Sequence, residues 1–203
     1  VLVFLFSGCM AVAPESIAGE KERGTFATML VTPVKRSHIA IGKIIALSTL
    51  SLISGICSFL GIILSLPKLV GGTGNISATV YTASDYIMLL GIVLSSVLVI
   101  VALISLISAF AKSVKEATNM IGPLMILVVL LGVSTMFTSG SAGAFFWYLI
   151  PLYNSARAMS GIFSFAASPL NVIITIASNL VVALLLAFAL AKMFDNEKIM
   201  FNK

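Results

Sequence analysis

The sequence predicts an all-α protein, a polytopic bundle of transmembrane helices. Of its 203 residues, 60% are hydrophobic and 9% are charged, whereas about a quarter of the residues are charged in typical soluble domains. The mean hydropathy of +1.17 indicates a surface that lies mostly in lipid. The apolar residues fall into long runs separated by short polar segments, which is the pattern of helices that cross a bilayer repeatedly.

The first apolar run, residues 1–13, is too short for a complete span. At the helical rise it reaches about 20 Å, whereas the hydrocarbon core of a bilayer is about 30 Å thick. The run has no basic segment at its start, so it does not fit a secretory signal peptide. We therefore expect the end of a transmembrane helix that begins upstream of Val1, in the C-terminal membrane portion of a longer protein.

Four further spans are predicted, and they cover residues 44–66, 85–111, 118–137 and 169–191. Pro67 should end the first of these four, and Asp85 should open the second. The third contains Gly122 and Pro123, which a bilayer helix tolerates when neighbouring helices pack against it. Pro169 suits the first turn of the last span.

The segments between the spans form two sets that alternate along the chain. One set holds ten of the twelve lysine and arginine residues, and the other holds Lys68 and Arg157. Because basic residues concentrate in cytoplasmic loops, we expect the set with ten, and with it the C-terminus, in the cytoplasm. The expected cytoplasmic segments are 14–43, 112–117 and 192–203. The expected external segments are a Gly-rich loop at 67–84 and a region of short re-entrant helices at 138–168.

Composition and motifs exclude several classes of function. The formal net charge of +5 comes from residues between apolar runs, which fits membrane orientation better than a nucleic-acid surface. The chain has one histidine, no GxxxxGK[ST] phosphate-binding loop and no carboxylate pair within a predicted span. Cys9 and Cys57 stand alone in apolar runs, which indicates packing residues. We therefore predict no catalytic, metal-binding or cofactor-binding residue in this chain.

The charged block at residues 14–43 holds the most informative pattern in the sequence. Gly24 is placed to end a helix that leaves the membrane, and Thr25 is placed to cap a short helix after it. Thr32 and Pro33 then suit the first positions of the next helix, which leads into the second span.

The predicted short helix carries an apolar face made of Phe26, Met29 and Leu30. Charged residues at 20–23 flank this face. Two interpretations fit the pattern. The face could be a docking surface for a partner protein, apolar at the centre and charged at the rim. It could equally belong to an amphipathic helix that lies on the inner leaflet.

The same block carries a resemblance to a known family. The string EKERGTFATMLVTPVKR, residues 20–36, is followed by Gly42 and Lys43 at a membrane entry. It resembles the cytoplasmic loop of ABC transporter permeases of the type 2 exporter family. Within that family it is most similar to the sodium-efflux and multidrug branch, whose members typically read ExExGTxExLLxTP. Ala27 departs from the pattern, because many relatives carry an acid there.

The resemblance implies that residues 1–203 are a single transmembrane permease domain, with about five of six helices visible. It implies a coupling helix that inserts into a separate ATP-binding subunit, so that ATP is bound on this partner and not on the chain. It also implies a second permease chain and a location in the plasma membrane of a prokaryotic cell. The residues that match the motif and receive the coupling role are Glu20, Glu22, Gly24, Thr25, Leu30, Thr32 and Pro33.

Asn119 and Asn179 are the notable polar residues inside the predicted spans. Such residues commonly form hydrogen bonds between helices, and a place on a substrate path is the alternative. The resemblance implies a permease that exports sodium or a drug-like amphiphile. The competing prediction is a membrane scaffold or assembly factor that holds a cytoplasmic partner without transport.

Overall fold

The computed structural model describes residues 1–25, 36–70, 81–137 and 149–194, and every regular element in these ranges is an α-helix. Five of the six described helices, all except the fifth, are long and apolar enough to cross a membrane. The predicted polytopic helical bundle is thereby confirmed. In chain order the helices are α1 (Leu2–Glu22), α2 (Arg36–Val70), α3 (Ala83–Phe110), α4 (Val114–Phe137), α5 (Tyr153–Phe163) and α6 (Pro169–Phe194).

Two helices extend beyond the boundaries that their prolines suggested. α1 continues through Pro14 to Glu22, and beyond the proline Ile17 and Ala18 are fully buried. α2 likewise passes Pro67 before it ends. The expected cytoplasmic segment 14–43 therefore starts inside α1, at buried residues, and the expectation that Pro67 ends its helix is wrong. A proline removes one backbone donor from a helix, and packing by neighbouring helices offsets that loss in a bilayer.

The fourth helix begins at Val114 instead of the predicted residue 118, because capping hydrogen bonds define its first turn. The Lys112 backbone N–H donates a hydrogen bond of 2.7 Å to Glu116 Oε2. The Glu116 backbone N–H donates a hydrogen bond of 3.2 Å to the hydroxyl of another residue, Ser113. These bonds satisfy donors that the start of a helix leaves unpaired, so the polar turn becomes part of the helix.

At the opposite end of the bundle, Asp85 lies in the first turn of α3, close to the predicted boundary. Its carboxylate accepts a 2.9 Å hydrogen bond from the Thr82 backbone N–H. Tyr81 stacks on Phe165 with ring centroids 4.8 Å apart, and its hydroxyl donates to the Phe163 carbonyl oxygen at 3.3 Å. Burial raises the pKa of the Tyr81 hydroxyl above its ordinary value, so the group remains a hydrogen-bond donor over a wider pH range. These contacts join the start of α3 to the end of α5.

Helix α3 lies at the centre of the bundle and packs against each of the other five described helices. In α3, 61% of the most apolar stretch is buried, compared with 17% in α4. The sequence of α3 is apolar on all sides, which is typical of a helix that others enclose. Its fully buried side chains form much of the core, and they include Ile92, Val93, Val97, Ile100 and Ile104.

Glycines allow α2 and α6 to approach α3 closely. A Cβ atom at Gly55 of α2 would lie 3.1 Å from Val97 Cγ2 of α3. A Cβ atom at Gly91 of α3 would lie 2.8 Å from Ile176 Cδ1 of α6. In a bilayer no hydrophobic force pulls helices together, so close packing at small residues has to hold them. These glycines therefore set the distance between α3 and two of its neighbours.

We expect Gly55→Leu to lower the melting temperature of the detergent-solubilised protein. The new side chain overpacks the contact with Val97, a change that costs about 1–3 kcal/mol. Gly61→Leu is the matched control, because it adds the same side chain to the same helix at a position with open space. A thermal-shift assay on both variants checks the prediction. Equal melting temperatures would show that α2 does not approach α3 closely at Gly55.

Candidate functional site

The basic end of the bundle is where α1 stops, α2 starts and α3 turns into α4. The lysines near these helix ends are Lys21, Lys43, Lys112 and Lys115. At this end three consecutive residues of α1, namely Glu20, Lys21 and Glu22, each contact a different helix. These three residues and their partners Lys43, Ala109 and Val114 are called the clamp.

Glu20 connects α1 to α2. Its carboxylate forms an ion pair with the ammonium group of Lys43, whose side chain is 10% exposed. Lys43 Nζ also donates a 2.8 Å hydrogen bond to the backbone carbonyl oxygen of Ser16. Water screens a partly buried pair less than a surface pair, so the attraction between these two groups is stronger than in most exposed ion pairs. Lys43 thus ties the start of α2 to the end of α1.

Lys21 and Glu22 hold the turn between α3 and α4. The Lys21 ammonium group donates a hydrogen bond to the backbone carbonyl oxygen of Ala109, in the last turn of α3. The Glu22 carboxylate accepts a 2.9 Å hydrogen bond from the backbone N–H of Val114, the first residue of α4. A cation therefore meets the negative end of one helix dipole, and an anion meets the positive end of the next.

The chain turns sharply at Gly24, where the sequence predicts the end of the helix. Gly24 has a φ angle of +72°, a left-handed conformation that favours glycine and commonly follows a helix end. Its backbone N–H donates to the Lys21 carbonyl oxygen at 3.1 Å. The Thr25 hydroxyl donates to the Glu20 carbonyl oxygen at 3.2 Å, so it caps the end of α1.

The remaining predicted coupling residues, Leu30, Thr32 and Pro33, lie outside the described residues, as does the predicted short helix between them and Thr25. Sequence reasoning did not select Lys21 as a site residue, and it used Lys43 merely to mark a membrane entry. The signal that could have found Lys21 is the alternation of charge in residues 20–22 at the end of a helix.

The clamp is suited to a mechanical role. Each of its acidic groups is engaged by a donor from another helix. Within residues 1–25, 36–70, 81–137 and 149–194, no three histidine, cysteine, aspartate or glutamate side chains come together as metal ligands. The arrangement can therefore carry force between helices, because every contact joins two different elements.

A second polar group lies inside the bundle. It consists of Ser95 of α3, Asn154 and Ser155 of α5, and Asn179 of α6, all of them buried, and is called the polar cluster. Asn179 Nδ2 donates to Ser155 Oγ at 2.8 Å and to Ser95 Oγ at 3.2 Å. Asn179 Oδ1 accepts from Asn154 Nδ2 at 3.2 Å. Asn179 thus joins three helices through its amide group.

The structure separates the two asparagines that the sequence grouped as candidates for a substrate path. Asn179 is fully buried and makes interhelical hydrogen bonds, whereas Asn119 is exposed on the surface of α4. Asn154 and Ser155 were not selected as site residues. They follow Leu152, a buried residue with φ of +69°, and such strain persists where surrounding contacts hold the backbone.

Nearly the whole chain is similar to known transporter sequences. A family described as ABC-2 family transporter protein matches residues 2–198. The ABC transporter permease protein NatB of Bacillus subtilis (strain 168) is 33% identical over 162 residues. That alignment covers 76% of this chain and 40% of NatB, so the chain spans less than half the length of this relative. No solved structure matches the chain.

We expect Asn179→Ala to lower the melting temperature in detergent. It removes three hydrogen bonds between helices, each worth about 0.6–1.7 kcal/mol in a membrane protein, and leaves the Asn154 amide without this acceptor. Asn119→Ala is the matched control, since it truncates the same side chain at an exposed position. If the two variants melt at the same temperature in a thermal-shift assay, the polar cluster does not hold α5 and α6 together.

Proposed function

The chain belongs to the ABC-2 family of transporter proteins, and on that premise we propose that it is the membrane-spanning permease subunit of an ATP-driven exporter. A separate subunit binds and hydrolyses ATP, which agrees with the lack of a phosphate-binding loop in the sequence. The permease contributes no catalytic group and binds no cofactor or metal of its own. It moves its substrate by rearranging helices, and five apolar helices of spanning length support this role.

The observation that carries the proposal is the clamp. The chain turns out of α1 at Gly24, directly after three residues that reach α2, α3 and α4. A partner that shifts the segment beyond Gly24 would therefore act on several membrane helices at once, as the transfer of motion between subunits requires. The residues proposed to couple this chain to the ATP-binding subunit are Glu20, Glu22, Gly24, Thr25, Leu30, Thr32 and Pro33.

We assign the basic end to the cytoplasm, where ATP is available, and the chain to the plasma membrane of a prokaryotic cell. The excess of lysine and arginine at this end supports that orientation. A second permease chain completes the pathway, and the broad exposed face of α4 offers apolar surface for it. The proposed substrate is sodium or a drug-like amphiphile that leaves the cytoplasm between the two permease chains.

We expect Gly24→Val to reduce ATP-driven export by about tenfold or more, while the bound partner continues to hydrolyse ATP. Valine at a φ of +72° is strained, because its branched Cβ approaches the carbonyl oxygen, so the segment after α1 must leave in another direction. The measurement uses the full-length protein reconstituted in vesicles with its ATP-binding subunit. The rate of ATP hydrolysis is recorded together with the transport of radioactive sodium and of a fluorescent amphiphilic cation.

Gly42→Val is the matched control, because Gly42 lies in α2 with open space around it and ordinary helical geometry. Export by Gly24→Val equal to that of Gly42→Val would remove the coupling role of the turn. A wild-type complex that binds the ATPase and hydrolyses ATP, but transports neither probe at a rate that depends on ATP, would favour a scaffold over an exporter.

A further inference from the structure

We propose that Lys21 and Lys43 act with Glu20 and Glu22 as positioning residues that transmit movement of the coupling segment to the helices. In this scheme Glu20 passes the displacement to α2, and Lys21 and Glu22 pass it to the turn between α3 and α4. The inference rests on the proposed function, and it adds two lysines that the family string leaves unassigned. Neither lysine contacts substrate in this scheme, since each acts through the helix end that it holds.

The end of α1 packs against the start of α4 without space between them. A Cβ atom at Gly19 would lie 3.2 Å from Val114 Cγ2 and 3.2 Å from Glu15 Cδ. The Glu22 carboxylate binds the N–H of the same Val114 at 2.9 Å. Because one residue of α4 is held both by a side-chain contact and by a hydrogen bond, a shift in the last turn of α1 displaces the start of α4.

The contacts of the clamp differ in the kind of partner. Glu20 is paired with the side chain of Lys43, so this ion pair can form with its charges exchanged, although the exchange loses the Lys43 hydrogen bond to the Ser16 carbonyl oxygen. Lys21 and Glu22 bind backbone groups, a carbonyl oxygen of Ala109 and an N–H of Val114. The polarity of these groups is fixed by the direction of α3 and α4, so the order of charges at positions 21 and 22 cannot be reversed.

Helix α3 is able to pass the displacement on, because it contacts all the other described helices. Lys21 holds it at Ala109, in its last turn, at the basic end. Further along the same helix, Ser95 accepts a hydrogen bond from Asn179 of α6. A movement of α3 along or across its axis therefore reaches α6 and the polar cluster through a continuous series of contacts.

The test compares two exchanges of charge that leave net charge unchanged. One variant carries Glu20→Lys with Lys43→Glu, and the other carries Lys21→Glu with Glu22→Lys. Each single substitution is expected to lower transport per ATP hydrolysed by about fivefold or more. The exchange of positions 20 and 43 should restore part of that loss, because the ion pair forms again while the hydrogen bond to the Ser16 carbonyl oxygen is lost. The exchange of positions 21 and 22 should restore nothing, because each charge then faces a backbone group of the wrong polarity.

Two further variants separate transmission from folding. Glu22→Gln keeps an acceptor oxygen for the Val114 N–H and is expected to transport better than Glu22→Leu, which keeps none. Lys115→Met removes a positive charge from an exposed position at the same end, outside the clamp, and should transport like wild type. Melting temperature and membrane insertion are measured for every variant, and transport is compared among variants that match wild type in both.

The outcomes are distinct. Recovery in the exchange of positions 20 and 43, without recovery in the exchange of positions 21 and 22, supports the transmission role. If all single variants transport as much per ATP hydrolysed as wild type, or if both exchanges recover equally, the transmission role is overturned. The proposed export function is not affected by that result. Absence of ATP-driven transport of sodium and of the amphiphilic cation by wild type overturns the proposed export and, with it, the transmission role.

Discussion

Helix α3 has to pack against all five other described helices at once, and this constraint determines the arrangement of the bundle. Lipid chains are as apolar as leucine side chains, so helices in a bilayer associate through close packing and a few polar contacts. These contacts are spread along the length of α3. Gly91 allows α6 to approach closely, Val97 packs against Gly55 of α2, Ser95 joins the polar cluster, and Ala109 accepts a hydrogen bond from Lys21. A change at any of these positions therefore affects a helix that every other described helix touches.

The number and order of the spans could be predicted from the sequence, because long apolar runs in a chain of this composition indicate transmembrane helices. The helix ends could not. Pro14 and Pro67 look like breaks, yet what a proline does depends on whether neighbouring helices pack around it, and that is a property of the assembled bundle. The start of α4 did leave a signal in the sequence, because Ser113 and Glu116 have the spacing of a capping box. The prediction placed a loop there because the neighbouring residues are charged.

Part of the candidate site could be predicted from the sequence. The side chains that form it could be recognised, whereas the backbone groups that they bind could not. The position of Glu20, Glu22 and Gly24 follows from a recognisable string, and the sharp turn at Gly24 follows from the residue type. The partners Ala109 and Val114 leave no trace in the sequence, because they contribute a backbone carbonyl and a backbone N–H that almost any residue could supply. The pairing of Asn154 with Asn179 likewise requires the arrangement of α5 and α6.

The charges of the clamp explain how it can sit at the boundary of an apolar bundle. Its two acidic side chains and two lysines cancel, and each group has a partner of opposite or complementary polarity, which reduces the cost of partial burial. Because these charges are engaged within the chain, the surface for an ATP-binding subunit in the proposed mechanism begins beyond Gly24. In that proposed mechanism the part of the motif before Gly24 anchors the segment to the helices, and the part after Gly24 meets the partner.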